Sequence, residues 1–239
     1  MHSILMILTG ATTWTQKDGT QRPTGFWAEE FVVAHDVFTR NGARIAIATP
    51  AGRPSIVDAL SLSPQANHGD TGKVAELSAY VERWGASLRA PLSIEDVNAA
   101  NFDAVFVPGG HGPMQDLAVD ASVGKILHAA LRNERQVVAA VCHGQASFLS
   151  AGDAQGWSFK GRKMTAFTND EEMQVGLAAN APWLLEDRLR AAGAVFEAGA
   201  PWSSHVVIDG NLVTGQNPAS AGAAAQAVLD RLASLAASA

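Results

Sequence analysis

The chain has 239 residues, of which 47% are hydrophobic and 17% charged, and its formal net charge at pH 7 is −6. This length suits one large domain spanning residues 1–239, and the hydrophobic share excludes a disordered chain. The acidic balance and the lack of a basic cluster argue against nucleic-acid binding, because phosphate backbones are bound by Lys and Arg. The low charged fraction suggests surface buried in an oligomer, and we expect a homodimer.

The N-terminal segment MHSILMILTGATTW has no basic leader, and its apolar run is too short for a signal sequence or a spanning helix. No other segment is apolar over membrane length, so we expect no membrane association. Cys142 is the single cysteine, so no intramolecular disulfide can form. This fits a reducing compartment, and we expect a cytoplasmic protein.

Short apolar runs that end in Gly, Pro or Thr turns predict strands along the chain. They cover residues 3–8, 43–50, 103–112, 136–144, 163–167 and 205–215. Helices are predicted between them, over residues 25–40, 113–132, 182–192 and from 218 onward. Runs without strict polar alternation indicate strands buried on both faces. The pattern therefore predicts an α/β fold, a mostly parallel sheet with helices on both faces.

Residues 51–91 are less regular, although a helix is predicted over 74–84. We interpret this stretch as a small inserted loop-and-helix region that covers the edge of the sheet or the site. In such folds ligands bind at the carboxyl ends of the strands, so side chains that follow the strands are the first candidates for function.

The single cysteine follows one of these buried strands directly. The sequence from Ala140 through Val141, Cys142 and His143 to Gly144 has the outline of a nucleophile elbow, whose small neighbours let the nucleophile lie at the tip of a turn. A helix that begins there directs its positive end at the sulfur, which predicts a lowered thiol pKa. The alternative is an inert buried cysteine, which the turn and the adjacent imidazole disfavour.

A glycine-rich loop, FVPGGHGPM, follows another predicted strand and precedes a helix. Backbone N–H groups in such a loop can bind a developing oxyanion, and the amides of Gly110 and His143 are the candidate pair. The alternative is an ordinary tight turn, because pairs of glycines are common.

Two acidic stretches offer carboxyl partners for the cysteine and the histidine. In TGFWAEEF, Glu29 and Glu30 face different directions on a helix, so one of them could be buried with a raised pKa and carry a proton. In MTAFTNDEEM, one of Asp170, Glu171 and Glu172 could complete a Cys-His-acid triad. Solvated charges and an acidic helix N-terminus are the respective alternatives, and the residue pattern does not choose between them.

Taken together, these motifs resemble the ThiJ/PfpI superfamily, whose members have a class I glutamine amidotransferase-like fold, a flavodoxin-like three-layer sandwich. The segments TGFWAEE, IATPAG, DAVFVPGGHG, AVCHG, KMTAFTNDEE and LVTGQNPAS occur in the family's order over nearly the whole chain. Three of these segments, TGFWAEE, KMTAFTNDEE and LVTGQNPAS, are most similar to the branch of glutathione-independent glyoxalase III enzymes and holding chaperones.

The resemblance implies catalytic roles for four residues. Cys142 is the implied nucleophile, His143 its partner, and Glu30 the carboxyl that contacts the sulfur. Glu172 best matches the triad acid, with the two acids before it as open alternatives. The implied oxyanion or substrate-binding residues are Gly109, Gly110 and His111. The chain departs from the branch in carrying Gln145 where a proline is usual, and the His-Pro pair that often follows the glutamate is absent.

The resemblance further implies a lyase of the hydro-lyase type that converts methylglyoxal or related 2-oxoaldehydes to 2-hydroxy acids without glutathione, cofactor or metal. The alternative is a stress-related holding chaperone or a thiol redox sensor of the same superfamily. An amidotransferase or peptidase ranks last, because the His-x-Glu pair of the glutaminases has no counterpart among the histidines. Their scattered spacing also indicates no metal site.

Overall fold

A computed structural model describes residues 1–237. The strands, in chain order, are β1 (Ser3–Ile7), β2 (Thr13–Thr15), β3 (Gln21–Pro23), β4 (Arg44–Thr49), β5 (Leu92–Ser93), β6 (Ala104–Val107), β7 (Val137–Val141), β8 (Gly152–Asp153), β9 (Gly156–Trp157), β10 (Lys163–Met164), β11 (Val195–Phe196), β12 (Val206–Asp209) and β13 (Leu212–Gly215). The α-helices are α1 (Ala28–Arg40), α2 (Thr71–Arg83), α3 (Gly85–Arg89), α4 (Gly112–Gln115), α5 (Ala121–Arg132), α6 (Asn169–Gln174), α7 (Leu185–Ala192) and α8 (Ala221–Ala237).

The main sheet has seven strands in the order β12-β13-β7-β6-β1-β4-β5. Every neighbouring pair is parallel except the hairpin of β12 and β13. Because β7, β6 and β1 are consecutive neighbours, the loops that follow them meet at one edge of the sheet. The mostly parallel α/β sheet that the sequence predicts is confirmed.

Both faces of this sheet are buried, which explains why its strands do not alternate between polar and apolar residues. Along β1, Ile4 and Met6 belong to a core that also contains Phe31 of α1. The residues between them, Leu5 and Ile7, belong to a second core on the opposite face, which receives α5. Helices therefore cover the sheet on both sides, in the three layers of a flavodoxin-like fold.

Three predicted elements are wrong in extent, and one of them, the run 205–215, is the hairpin of β12 and β13 instead of a single strand. The strand predicted over 163–167 ends at Met164 and pairs with β11 outside the main sheet. Beyond it, the backbone N–H of Thr165 donates to the side chain of Thr214 instead of to a neighbouring strand. The helix predicted over 113–132 is two helices, because the Asp116 carboxylate accepts hydrogen bonds from Thr9 and Gly10 and bends the chain between α4 and α5.

The stretch 51–91 contains α2 and α3 and leads into β5, which pairs with β4 at the end of the sheet. Helix α2 begins three residues before the prediction, where the Asp70 side chain accepts a hydrogen bond from the N–H of Lys73. That this stretch is an insertion, and that residues 1–239 form one domain, stay predictions, and the last two residues of that span lie outside the described ones. None of the helices within residues 1–237 is both long and apolar enough to cross a membrane.

Candidate active site

The cysteine lies at a strained turn between β7 and a 3-10 helix, Cys142–Ser150. Its φ is +60°, a left-handed value that residues other than glycine adopt rarely. Such strained backbone is found often at functional sites. The turn packs tightly on β6, since a Cβ on Gly144 would lie 2.2 Å from the carbonyl oxygen of Val107. The sequence thus places the turn correctly, but the helix that follows it is 3-10 in its hydrogen bonding.

Cys142, His143 and Glu172 form a chain of contacts in the interior of the protein. The Sγ of Cys142 lies 3.3 Å from Nδ1 of His143, and Nε2 of that ring lies 2.6 Å from Oε2 of Glu172. All three residues are buried. This is the geometry in which a carboxylate orients an imidazole that exchanges a proton with a nucleophile.

Of the three candidate acids, the structure brings only Glu172 to the histidine. Asp170 is exposed. Glu171 is buried but faces away: it forms a capping box with Thr168 at the start of α6 and accepts hydrogen bonds from the backbone of Trp202 and the side chain of Asn217. These contacts fix the first turn of α6 and thereby the position of the next residue, Glu172.

Glu30 is fully buried, whereas its neighbour Glu29 is half-buried and pairs with Lys73 at 2.7 Å. One carboxylate oxygen of Glu30, Oε2, accepts a hydrogen bond from the N–H of Gly109 at 2.5 Å. Its other oxygen, Oε1, has no nitrogen or oxygen partner among residues 1–237, and the Glu30 side chain interacts with the thiol of Cys142. Burial raises the pKa of Glu30 to about 8, so this carboxyl is protonated at neutral pH.

The predicted lowering of the thiol pKa is wrong. Burial raises the pKa of Cys142 well above its usual value, and the nearby Glu30 carboxylate raises it further. The partial charge at a helix N-terminus is too small to offset the loss of hydration of a buried thiolate. Thiolate formation therefore depends on a partner that takes the proton, and His143 is the basic group in contact with the sulfur.

The glycine-rich loop connects Glu30 to the elbow. A Cβ on Gly109 would lie 2.7 Å from the backbone nitrogen of His143 and 2.8 Å from Oε2 of Glu30. Gly110 has a φ of +90°, and a Cβ there would lie 2.4 Å from the carbonyl oxygen of Gly25. Both positions thus require glycine for space, and the second also for its conformation.

His111 lies beside His143 and contacts the other carboxylate oxygen of Glu172. Its Nε2 is 2.8 Å from Oε1 of the carboxylate, and its ring stacks on Trp14 with centroids 4.6 Å apart. Phe167 packs against the other face of the site, 4.5 Å from the ring of His143. Nothing in the sequence pattern singles out Trp14 or Phe167, because an aromatic residue near a strand is usually a core residue.

An imidazole nitrogen of His111, one of His143 and a carboxylate oxygen of Glu172 lie within 4.8 Å of one another. Such a set of donor atoms is of the kind that binds divalent cations. Hydrogen bonds between the two rings and the carboxylate already join these atoms. We assign no metal to the cluster.

The model of the DJ-1/PfpI family matches residues 23–231, a range that includes the elbow, the glycine-rich loop and both carboxyl partners. The chain belongs to the DJ-1/PfpI family. The superfamily resemblance of the sequence motifs is thereby confirmed.

Two kinds of name recur among the relatives of the chain. The chain is 32% identical over 167 residues to the Bos taurus "Glutamine amidotransferase-like class 1 domain-containing protein 1", which covers 67% of this chain and 76% of the relative. It is 28% identical over 236 residues to a glutathione-independent glyoxalase of Saccharomyces cerevisiae, covering 96% of this chain and 97% of the relative. The crystal structure of glyoxalase III from Candida albicans superposes with a TM-score of 0.77 at 27% identity, covering 96% of this chain and 97% of that one.

Proposed function

We propose that this DJ-1/PfpI protein is a cysteine-dependent enzyme that converts methylglyoxal or related 2-oxoaldehydes to 2-hydroxy acids without glutathione. The observation that carries the proposal is the buried Cys142 between two proton carriers, with His143 at 3.3 Å from its sulfur and the protonated Glu30 beside it. The glyoxalase names of relatives that match nearly the whole chain support the same reaction. We place the enzyme in the cytoplasm, since its only cysteine must stay reduced to act.

In the first step His143 takes the thiol proton at Nδ1, and the Cys142 sulfur attacks the aldehyde carbon to form a thiohemiacetal. Glu172 accepts the hydrogen bond from Nε2 and stabilises the imidazolium that forms. The amides of Gly110 and His143 are our candidates for binding the developing oxyanion. The burial of the site keeps bulk water away from these groups, so it does not weaken their interactions.

In the second step a proton moves from the former aldehyde carbon to its neighbour through an enediol. A carboxyl whose pKa lies near the working pH can both release and regain a proton, and the value of about 8 for Glu30 meets this condition. The rearrangement leaves a thioester of a 2-hydroxy acid on Cys142. One water molecule then hydrolyses the thioester, which releases the hydroxy acid and restores the thiol.

The test is the formation of lactate from methylglyoxal without glutathione, with glyoxal and larger 2-oxoaldehydes as a panel. We expect Cys142→Ala to lower kcat/KM by roughly a thousandfold or more, as loss of a nucleophile does in other enzymes. Activity that survives in Cys142→Ala, or a wild-type protein that turns over none of the aldehydes, would overturn the proposal.

Redox sensing by the same thiol is disfavoured, because sensor cysteines have a low pKa, whereas burial raises the pKa of Cys142. Holding-chaperone activity stays a prediction of the sequence, and suppression of aggregation that is unchanged in Cys142→Ala would separate it from the thiol site.

A further inference from the structure

Two imidazoles share the carboxylate of Glu172. His143 lies 2.6 Å from Oε2 and His111 lies 2.8 Å from Oε1, in both cases through Nε2. The three side chains are at most 8% exposed, so bulk water does not compete for either oxygen. Each oxygen of the carboxylate thus has its own imidazole partner.

The ionisation of Glu172 decides which ring nitrogens carry hydrogen. Burial alone would raise the pKa of this carboxyl, but the charges and hydrogen bonds of the two imidazoles hold it well below its usual range. An ionised carboxylate only accepts hydrogen bonds, so both Nε2 atoms must donate. In neutral His143 the lone pair is then on Nδ1, the atom that lies 3.3 Å from the sulfur of Cys142.

The ring of His111 has two aromatic neighbours. It stacks on Trp14 with centroids 4.6 Å apart and packs against the tilted ring of His143 with centroids 4.1 Å apart. Burial, and then the charge of His143, lower the pKa of His111 to about 4, so it stays neutral while His143 takes a proton. His111 is therefore a donor whose charge does not change during the reaction.

We propose that His111 is a positioning residue: its Nε2–H holds one oxygen of Glu172, so that the other oxygen holds His143 in the tautomer that accepts the proton of Cys142. The family resemblance implied an oxyanion- or substrate-binding role for His111, whereas the contacts link it to the acid of the candidate triad. The proposal deepens the proposed function, and its turnover measurement rests on that function.

A matched pair of amide variants tests the donor. In His111→Gln the side-chain amide nitrogen reaches about as far as Nε2 of the histidine. In His111→Asn the side chain is too short for its amide nitrogen to reach Glu172. Because Cys142 is the only cysteine, its alkylation by iodoacetamide reports thiolate formation at one site, with no substrate needed. We expect the alkylation profile of His111→Asn to move to higher pH and that of His111→Gln to stay near the wild-type profile.

Turnover of methylglyoxal provides the second measurement. We expect His111→Asn to lower kcat by roughly 10- to 100-fold with little change in KM, the usual cost of losing a group that orients a functional side chain. We expect His111→Gln to recover most of this loss. His35→Gln is the control, because His35 is an equally buried imidazole that contacts Tyr80 and Trp84 instead of Glu172.

Equal losses in both His111 variants would show that ring packing matters and the donor does not, and they would overturn the proposal. An unchanged alkylation profile in His111→Asn, or a rise in KM alone, would also overturn it. If the wild-type protein turns over no 2-oxoaldehyde but the two alkylation profiles differ as expected, the proposed function fails and the positioning role of His111 stands.

Discussion

At the scale of single residues, the two buried carboxyl groups near Cys142 differ in protonation state. The buried carboxyl of Glu30 is neutral at neutral pH, whereas the equally buried Glu172 is ionised. The difference follows from their partners, since Glu172 has two imidazoles and Glu30 has one backbone amide. Carboxyls whose environments separate their pKa values in this way are suited to different tasks, one to carry a proton and one to stabilise a cation.

Glu30→Gln should change thiol reactivity and turnover in opposite directions. Above its pKa of about 8 Glu30 is ionised, and replacing it there removes a charge that opposes the Cys142 thiolate, so alkylation of the thiol at pH 9 should become severalfold faster. Turnover of methylglyoxal should fall by about 10²- to 10⁴-fold, because the amide cannot carry the proton between the substrate carbons. Alkylation with iodoacetamide and lactate formation measure the two effects. Slower alkylation in the variant would contradict the prediction.

Gly109→Ala should damage the site. The new Cβ would lie 2.7 Å from the nitrogen of His143 and 2.8 Å from Oε2 of Glu30, so one of these groups must move. A displacement of this order should lower kcat/KM by about 10²-fold. Gly72→Ala in α2 is the control, because its nearest contact is a side-chain oxygen at 3.3 Å. Wild-type kinetics in Gly109→Ala would contradict the predicted clash.

At the scale of elements, α1 links the site to the stretch 51–91. One turn of this helix carries Glu30, and the next carries His35, which packs against Trp84 at 4.3 Å and contacts the hydroxyl of Tyr80 at 2.9 Å. Burial lowers the pKa of His35 to about 4. The contact between α1 and α2 therefore requires a neutral imidazole.

His35 should make the stability of the fold depend on pH. The folded-state pKa of about 4 lies below the ordinary value of 6.5, so the unfolded chain binds this proton first as the pH falls. Its contribution is complete above pH 6.5 and is lost between pH 6.5 and 4, by up to about 3 kcal/mol. Urea unfolding of the wild-type protein and His35→Gln at pH 7.5 and 5 measures this. Equal pH dependence in the two proteins would contradict it.

The sequence predicted most elements of the sheet because their strands are buried on both faces and so form continuous apolar runs. Strands β1, β4, β6 and β7 lie inside the predicted ranges. The sequence-based prediction failed for the end of β10 and for the break between α4 and α5. The first depends on a hydrogen bond to Thr214, about 50 positions away, and the second on one to Thr9, about 100 positions away. Local patterns carry no information on such partners.

At the scale of the whole molecule, the low charged fraction of 17% is the basis for the expected homodimer. Among residues 1–237, large exposed apolar side chains include Val119, Ile208 and Met173. Ile208 lies in β12 and Met173 in α6, whereas Val119 lies in the turn between α4 and α5. The homodimer expected from composition stays a prediction.

Light scattering on the purified chain tests it. A homodimer should give a mass of about 50 kDa, twice the 25.0 kDa of one chain, that persists at high salt because apolar contacts are not screened. A mass near 25.0 kDa at micromolar concentration would contradict the prediction.

The sequence alone determined the α/β class, the strand that leads to Cys142, the adjacent His143 and the glycine-rich loop, because short-range patterns and local turns encode these features. Only the tertiary structure decided that Glu30 and Glu172 face the site while Glu29, Asp170 and Glu171 do not. It also reversed the expected shift of the thiol pKa and gave His111 its contact with the acid. Burial and long-range hydrogen bonds set these properties, and both arise only when distant segments pack together.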